Sequence, residues 1–332
     1  MNVGANGWLL ARILRSPIDA AALDAAGWTA LIAIARAEQM IGTLAWRLHG
    51  TAMPPAVARI LADARASADH GRTLALWEAE AARRALAPLG VPVVLLKGTA
   101  FVAAGLMAGQ GRSIGDLDIL VPRESLDAVE RALLANGWVW VKPDAYDDAY
   151  YRRWMHELPP LIHRDRDRMI DVHHTILPLT ARITPDAEGL LAAAVPLRDG
   201  LAMLSRTDVI VHAAAHLFAD GDLAGGMRNL WDVHCLIEEF GVGGLVERAE
   251  HHGLGDAVGR ALRLAAALYG DGATLSPGDR ACLRRVTARD GWGRATRPWT
   301  RLGFYVRSHW LRMPPAMLAR HLWTKWRKQA VA

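Results

Sequence analysis

"GDLDILV", residues 115–121, has the apolar texture of a buried β-strand but carries two carboxylates, Asp116 and Asp118. Side chains two apart on a strand point to the same face, so these acids stand side by side. Leaving a buried carboxylate without a partner costs on the order of several kcal/mol, and such a strand therefore calls for a cation beside it. Working outward, "VPVVLLKG" (91–98) is a short β-branched and apolar run that ends in glycine, and "MIDVHH" (169–174) is another apolar strand, with Asp171 inside it. Between them lie a helix in "TAFVAAGLMAG", a glycine-rich turn "GQGRSIG", and an amphipathic helix "RESLDAVERALLANG" stopped by Asn136 and Gly137. Then follow a strand "WVWVK", a helix "YDDAYYRRWMHEL" and a strand and turn "PPLIHRDRDR". Alternating strands and helices predict a small mixed α/β unit.

The flanks read differently. Residues 1–86 are rich in Ala, Leu and Arg with helical spacing, as in "WTALIAIARAEQMIGTLAWRL"; Pro54 and Pro55 open a second helix and Gly90 closes it. After Pro178 the pattern is helical again. The expected architecture is α+β: a small mixed-sheet core at 87–178, an N-terminal helical segment at 1–86 and a C-terminal helical region at 179–332. The 332 residues, 52% of them hydrophobic, suffice for a sizeable core and argue against disorder. Cys235 and Cys282 stand far apart without metal-ligand spacing, which excludes a disulfide framework and a cysteine zinc site. The first residues lack a cationic stretch ahead of their apolar run, and no apolar run reaches the roughly 20 residues of a membrane span. The expected location is the cytoplasm.

Net charge is +5, and its distribution is uneven: residues 284–328 hold twelve Lys or Arg, one acid (Asp290) and five tryptophans. Such a tail suits contact with nucleic acid or an anionic surface; the alternative is a solvated helical face whose tryptophans pack inward.

Two carboxylates at a strand end beside a glycine-rich turn suit Mg²⁺, which prefers oxygen ligands and retains waters and substrate phosphates. Asp171 offers a third oxygen ligand, and His173 shares its face while His174 points away. The competing reading is an Asp-x-Asp that merely caps a turn. Upstream, Lys97 and Gly98 join a strand end to a helix start, where free N–H groups favour an anion. The sequence contains no Walker loop, and no G-x-G-x-x-G opens a helix after a strand there. Arg112, four residues before Asp116, is either a phosphate clamp or a surface ion pair. Further on, His212 and His216 share a helix face with Asp208, and Arg228 shares one with Asp232. They either bind the helices to the core or line an acceptor pocket.

Taken together, "LLKG", Arg112, "GDLDILV" and "IDVHH" resemble the nucleotidyltransferase superfamily that includes DNA polymerase beta, and more closely its branch of uncharacterised bacterial nucleotidyltransferase-like proteins. "DVIVHAAAHLF" and "MRNLWDVHCLIEE" are similar to that branch's later His-x-x-x-His and Arg-x-x-x-Asp helices, so the resemblance spans roughly residues 86–240. It implies that Asp116, Asp118 and Asp171 are catalytic and bind Mg²⁺ or Mn²⁺, and that Lys97, Gly98, Thr99 and Arg112 meet the phosphates of a nucleoside triphosphate such as ATP. It further implies that Asp171 doubles as the base for an acceptor hydroxyl. His173, His212, His216 and Arg228 are candidates for the acceptor pocket. The implied reaction moves an NMP group from an NTP to a hydroxyl of a small molecule, peptide or protein, with pyrophosphate leaving. The alternative is a catalytically silent nucleotide-binding or regulatory protein on the same fold. The chain departs from the wider superfamily in having Lys-Gly-Thr for Gly-Ser and a longer run before the first Asp.

Overall fold

A computed structural model describes residues 6–219 and 221–312; the last part of the basic tail, 313–328, lies outside the described residues. Its organising element is one seven-stranded mixed sheet flanked by helices. The strands are β1 (Val94–Leu95), β2 (Asp116–Leu120), β3 (Trp138–Trp140), β4 (Leu161–His163), β5 (Met169–His173), β6 (Val195–Pro196) and β7 (Ala202–Met203), in the spatial order β3-β4-β5-β2-β1-β7-β6. At the centre β2 runs parallel to β5, with Asp118 opposite Asp171 and Leu120 opposite His173, and antiparallel to β1.

The helices before the sheet are α1 (Gly7–Arg15), α2 (Ala25–Ala37), α3 (Ile41–Arg47) and α4 (Pro55–Leu86). Interleaved with the strands come α5 (Lys97–Ala103), α6 (Leu126–Ala135), α7 (Ala145–Trp154) and α8 (Ala187–Ala192). The chain continues as α9 (Arg206–Ala219), α10 (Gly226–Phe240), α11 (Leu245–His251), α12 (Gly255–Tyr269), α13 (Pro277–Val286) and α14 (Pro298–Arg312).

Period-two burial explains why β2 sits where it does. Leu117 and Ile119 point to one face and bury in the core, which α4 and α5 cover. The opposite face carries Asp116, Asp118 and Leu120. The long α4 spans about 48 Å at 1.5 Å per residue. It buries a run of small residues, Ala68, Ala75, Ala79 and Ala82, so neighbouring elements approach closely. Ala75 packs on Val102 and Ile114, which ties α4 to α5 and to the turn before β2.

Two features depart from the sequence reading. The periodic stretch 28–48 breaks into α2 and α3 at Gln39, whose φ of 55° is left-handed. And the stretch after Pro178 is not wholly helical: β7 pairs in parallel with β1, and β6 pairs with β7. The helices of the C-terminal region are knit by buried ion pairs; Asp208, fully buried, receives Arg248, Ser205 and His252. In the described part of the basic tail, Trp292 and Trp299 are 70% and 82% exposed rather than packed inward. Among the described residues no helix is long and apolar enough to cross a membrane.

Candidate functional site

Asp116 and Asp118 reach one face by strand alternation, and the parallel register sets Asp171 directly beside Asp118. One carboxylate oxygen from each lies within 4.8 Å of the others. Asp116 is exposed, Asp118 is buried and Asp171 is between the two. Asp118 is the paired member: Lys97 Nζ donates to its Oδ1 at 2.6 Å and His173 Nε2 lies 2.9 Å from the same oxygen. Burial opposes charge on Asp118, but Lys97 and the His173 contact outweigh it and hold its pKa below the usual carboxylate range. Burial likewise pulls the Lys97 ammonium down, and the facing carboxylates more than restore it.

The other two acids lack that support. Among the described residues neither has an ion pair, while Asp118 takes both Lys97 and the His173 contact. Burial and then the charge of Asp118 raise the pKa of Asp116. Burial, then Asp118 and Glu157, push Asp171 up to about 7. Three carboxylates with mutual repulsion and one compensated member form an oxygen-rich set that a hard divalent ion fits.

Lys97 begins α5 with a left-handed φ of 49°. For a non-glycine residue that conformation costs roughly 1–2 kcal/mol, and it accompanies the aim of the ammonium at Asp118. Gly98 follows for a steric reason: a Cβ there would stand 2.7 Å from Arg112 Nε. Thr99 is buried, its hydroxyl donating to the Asp116 carbonyl at 3.5 Å. Arg112 lies over the Phe101 ring at 5.4 Å and forms a short ion pair with Asp232 of α10.

Arg112 is positioned from far away in the chain. The turn before it is pressed onto α3, where Gly42 and Gly111 meet backbone to backbone; a Cβ on Gly111 would come within 2.2 Å of the Gly42 carbonyl oxygen. Arg228 lies 3.9 Å from Asp232 and donates to Thr43 Oγ1 at 2.7 Å and to the Gln39 carbonyl at 3.1 Å. Burial lowers the Arg228 pKa to about 10. His212 and His216 of α9 line, with Lys97, Phe101, Arg112, Asn229 and Asp232, a cavity of about 20 Å³, room for about one water. Burial keeps both imidazoles neutral near pH 7, His216 with a pKa of about 4. Asp208, at the far end of the same helix, serves the Arg248 anchor instead.

The residues proposed from the sequence for phosphates and metal, with His173, His212 and His216, therefore gather around Asp118, whereas Arg228 is turned to Gln39, Thr43 and Asp232. Sequence reasoning passed over His156 and Glu157, whose segment pairs with β5 and sets Glu157 Oε2 3.4 Å from His173 Nδ1. It also passed over a cavity of about 610 Å³ between the N-terminal helices and residues 111–115, lined by Arg36, Asp63, Ser67, Gly111, Ser113 and Gly115. The only signal for the first was a His-Glu pair ahead of an apolar stretch; for the second there was none. A family model described as uncharacterised nucleotidyltransferase matches residues 24–270. A search of curated proteins returned no match.

Proposed function

Since the chain belongs to the uncharacterised nucleotidyltransferase family, we propose that it transfers an NMP group from a nucleoside triphosphate to an acceptor hydroxyl, with release of pyrophosphate and with Mg²⁺ or Mn²⁺ as cofactor. The observation that carries this reading is the meeting of Asp116, Asp118 and Asp171 within 4.8 Å with two of the three uncompensated. Those three residues would hold the metal. Bound there, a divalent ion neutralises charge developing on the phosphoryl oxygens.

The remaining steps belong to the chain. Lys97 keeps Asp118 ionised and oriented through its 2.6 Å contact. Asp171, set beside Asp118 by the parallel register, is placed to take the proton of the acceptor hydroxyl. Arg112, held by Asp232 and cleared by Gly98, would meet the triphosphate. The 610 Å³ cavity has the volume of a small-molecule pocket, and its wall runs into Gly115, the residue before Asp116. We assign it to the nucleoside, which gives the N-terminal helices a part in binding. An acceptor would enter beside His173, His212 and His216, whereas Arg228 is spent on Gln39, Thr43 and Asp232.

A second reading, a silent nucleotide-binding protein, is favoured by one observation: Lys97 and Arg112 are both engaged in ion pairs, and only about 20 Å³ lies between them. One experiment separates the two. The protein is incubated with Mg²⁺, each α-labelled NTP in turn and a pool of metabolites and peptides, and pyrophosphate and label transfer are followed. Transfer supports the enzyme, with a rate at least about 100-fold lower for Asp118→Asn, the scale of losing one electrostatic stabiliser. Nucleotide retained without pyrophosphate release supports the silent protein.

A further inference from the structure

Beside the aspartate triad stands a second constellation of different chemistry. His156, Glu157 and His173 each offer one ligand atom, and these three atoms lie within 4.8 Å of one another. His173 Nδ1 is 3.4 Å from Glu157 Oε2, and His156 Nε2 is 3.8 Å from the same oxygen. The two imidazoles sit 5.1 Å apart, tilted by 36°. The backbone that carries them is strapped in place: His174 N donates to the His156 carbonyl and Leu158 N to the Val172 carbonyl, both at 2.9 Å.

The placement of His173 between two carboxylates makes this arrangement informative. Its side chain is 2% exposed. Its Nε2 is engaged with Asp118 Oδ1, which leaves Nδ1 turned toward the Glu157 carboxylate. His156 adds a further mark, since its Nδ1 is buried with no hydrogen-bond partner among the described residues. Bonds of about 2.0–2.1 Å at tetrahedral angles set neighbouring ligand atoms about 3.3 Å apart, close to the distances found. Two imidazoles and a carboxylate form a zinc-type donor set rather than one for Mg²⁺. An Asp–His–metal relay, in which a carboxylate fixes the imidazole's tautomer, is the usual support of such a ligand.

We infer that His156, Glu157 and His173 form a binding site for a transition-metal dication of zinc type, with Asp118 as the carboxylate that orients His173. The site is distinct from the aspartate triad, and its occupancy locks His173 and through it one edge of Asp118. It does not depend on the nucleotidyl-transfer reading, because its test measures metal and not turnover.

The full chain, stripped of metal, is titrated with Co²⁺ in a large excess of Mg²⁺, and the visible d–d absorption is recorded. Tetrahedral Co²⁺ with nitrogen ligands absorbs far more strongly than octahedral Co²⁺ on oxygen alone. The expected result is one strongly absorbing Co²⁺ per chain, retained in Asp116→Asn and displaced by Zn²⁺. His156→Ala and Glu157→Gln should abolish the band, and circular dichroism should show both folded; Glu157→Gln is isosteric at a side chain 19% exposed. Asp118→Asn should weaken Co²⁺ binding by roughly 10–100-fold. The inference is overturned if no such band forms, if it survives both His156→Ala and Glu157→Gln, or if Asp116→Asn removes it equally. None of these outcomes touches the assignment of the triad, which the pyrophosphate assay decides separately.

Discussion

Replacing Asp171 by asparagine removes one charge from the triad and nearly preserves its shape. In the folded chain the pKa of Asp171 is raised from 3.8 to about 7, first by burial and then by the charges of Asp118 and Glu157. About three units at roughly 1.4 kcal/mol each amount to about 4 kcal/mol against the charged, metal-free fold. The sign follows from proton counting. Below about pH 4 both states carry the proton and Asp171 contributes no pH dependence. Between about pH 4 and 7 the unfolded chain has released a proton that the folded chain retains, so stability falls as pH rises, and above about 7 the loss is complete. With an unfolding entropy near 2.1 cal/mol/K per residue, a chain of 332 residues melts about 6 °C higher for 4 kcal/mol gained. Melting in chelator should therefore find Asp171→Asn more stable than wild type by up to about 6 °C at pH 8 and indistinguishable at pH 4. Adding Mg²⁺ at pH 8 should raise the wild-type midpoint and move that of Asp171→Asn much less. A variant that melts at or below wild type at pH 8 without metal would refute the reasoning that the triad is a charge repulsion awaiting a cation.

Two glycines test how the site is held. In Gly98→Ala the new Cβ would lie 2.7 Å from Arg112 Nε, so the guanidinium must leave Asp232; urea unfolding should show a loss of about 1–3 kcal/mol, with nucleotide binding weakened as well. Gly111→Ala meets the Gly42 carbonyl oxygen at 2.2 Å at a φ of 62°, and should cost more than about 3 kcal/mol. Gly105→Ala, equally left-handed but with open space around it, should cost only about 1–2 kcal/mol; equal losses at 105 and 111 would show that the packing of α3 on this turn is immaterial.

What the sequence determined on its own was local. Strand alternation put Asp116 with Asp118, and Asp171 with His173, on shared faces, because a period of two is a property of the extended backbone whatever surrounds it. The same local logic read α4 from Pro55 to its end near Gly90 and joined His212 to His216 on one face of α9. Tertiary structure decided which faces meet. The parallel register that sets Asp118 against Asp171 depends on a connection through α6, β3, α7 and β4, and nothing in either strand specifies it. Arg112 is held by Asp232 120 residues away, and Glu157 reaches His173 only because its segment is laid against β5. The two-residue strands β1, β6 and β7 are too short to show any period; they exist because a neighbouring strand offers hydrogen bonds. The charges were legible from the chain, whereas their pairing, and hence which acid is compensated and which remains exposed to repulsion, arises from packing between distant segments.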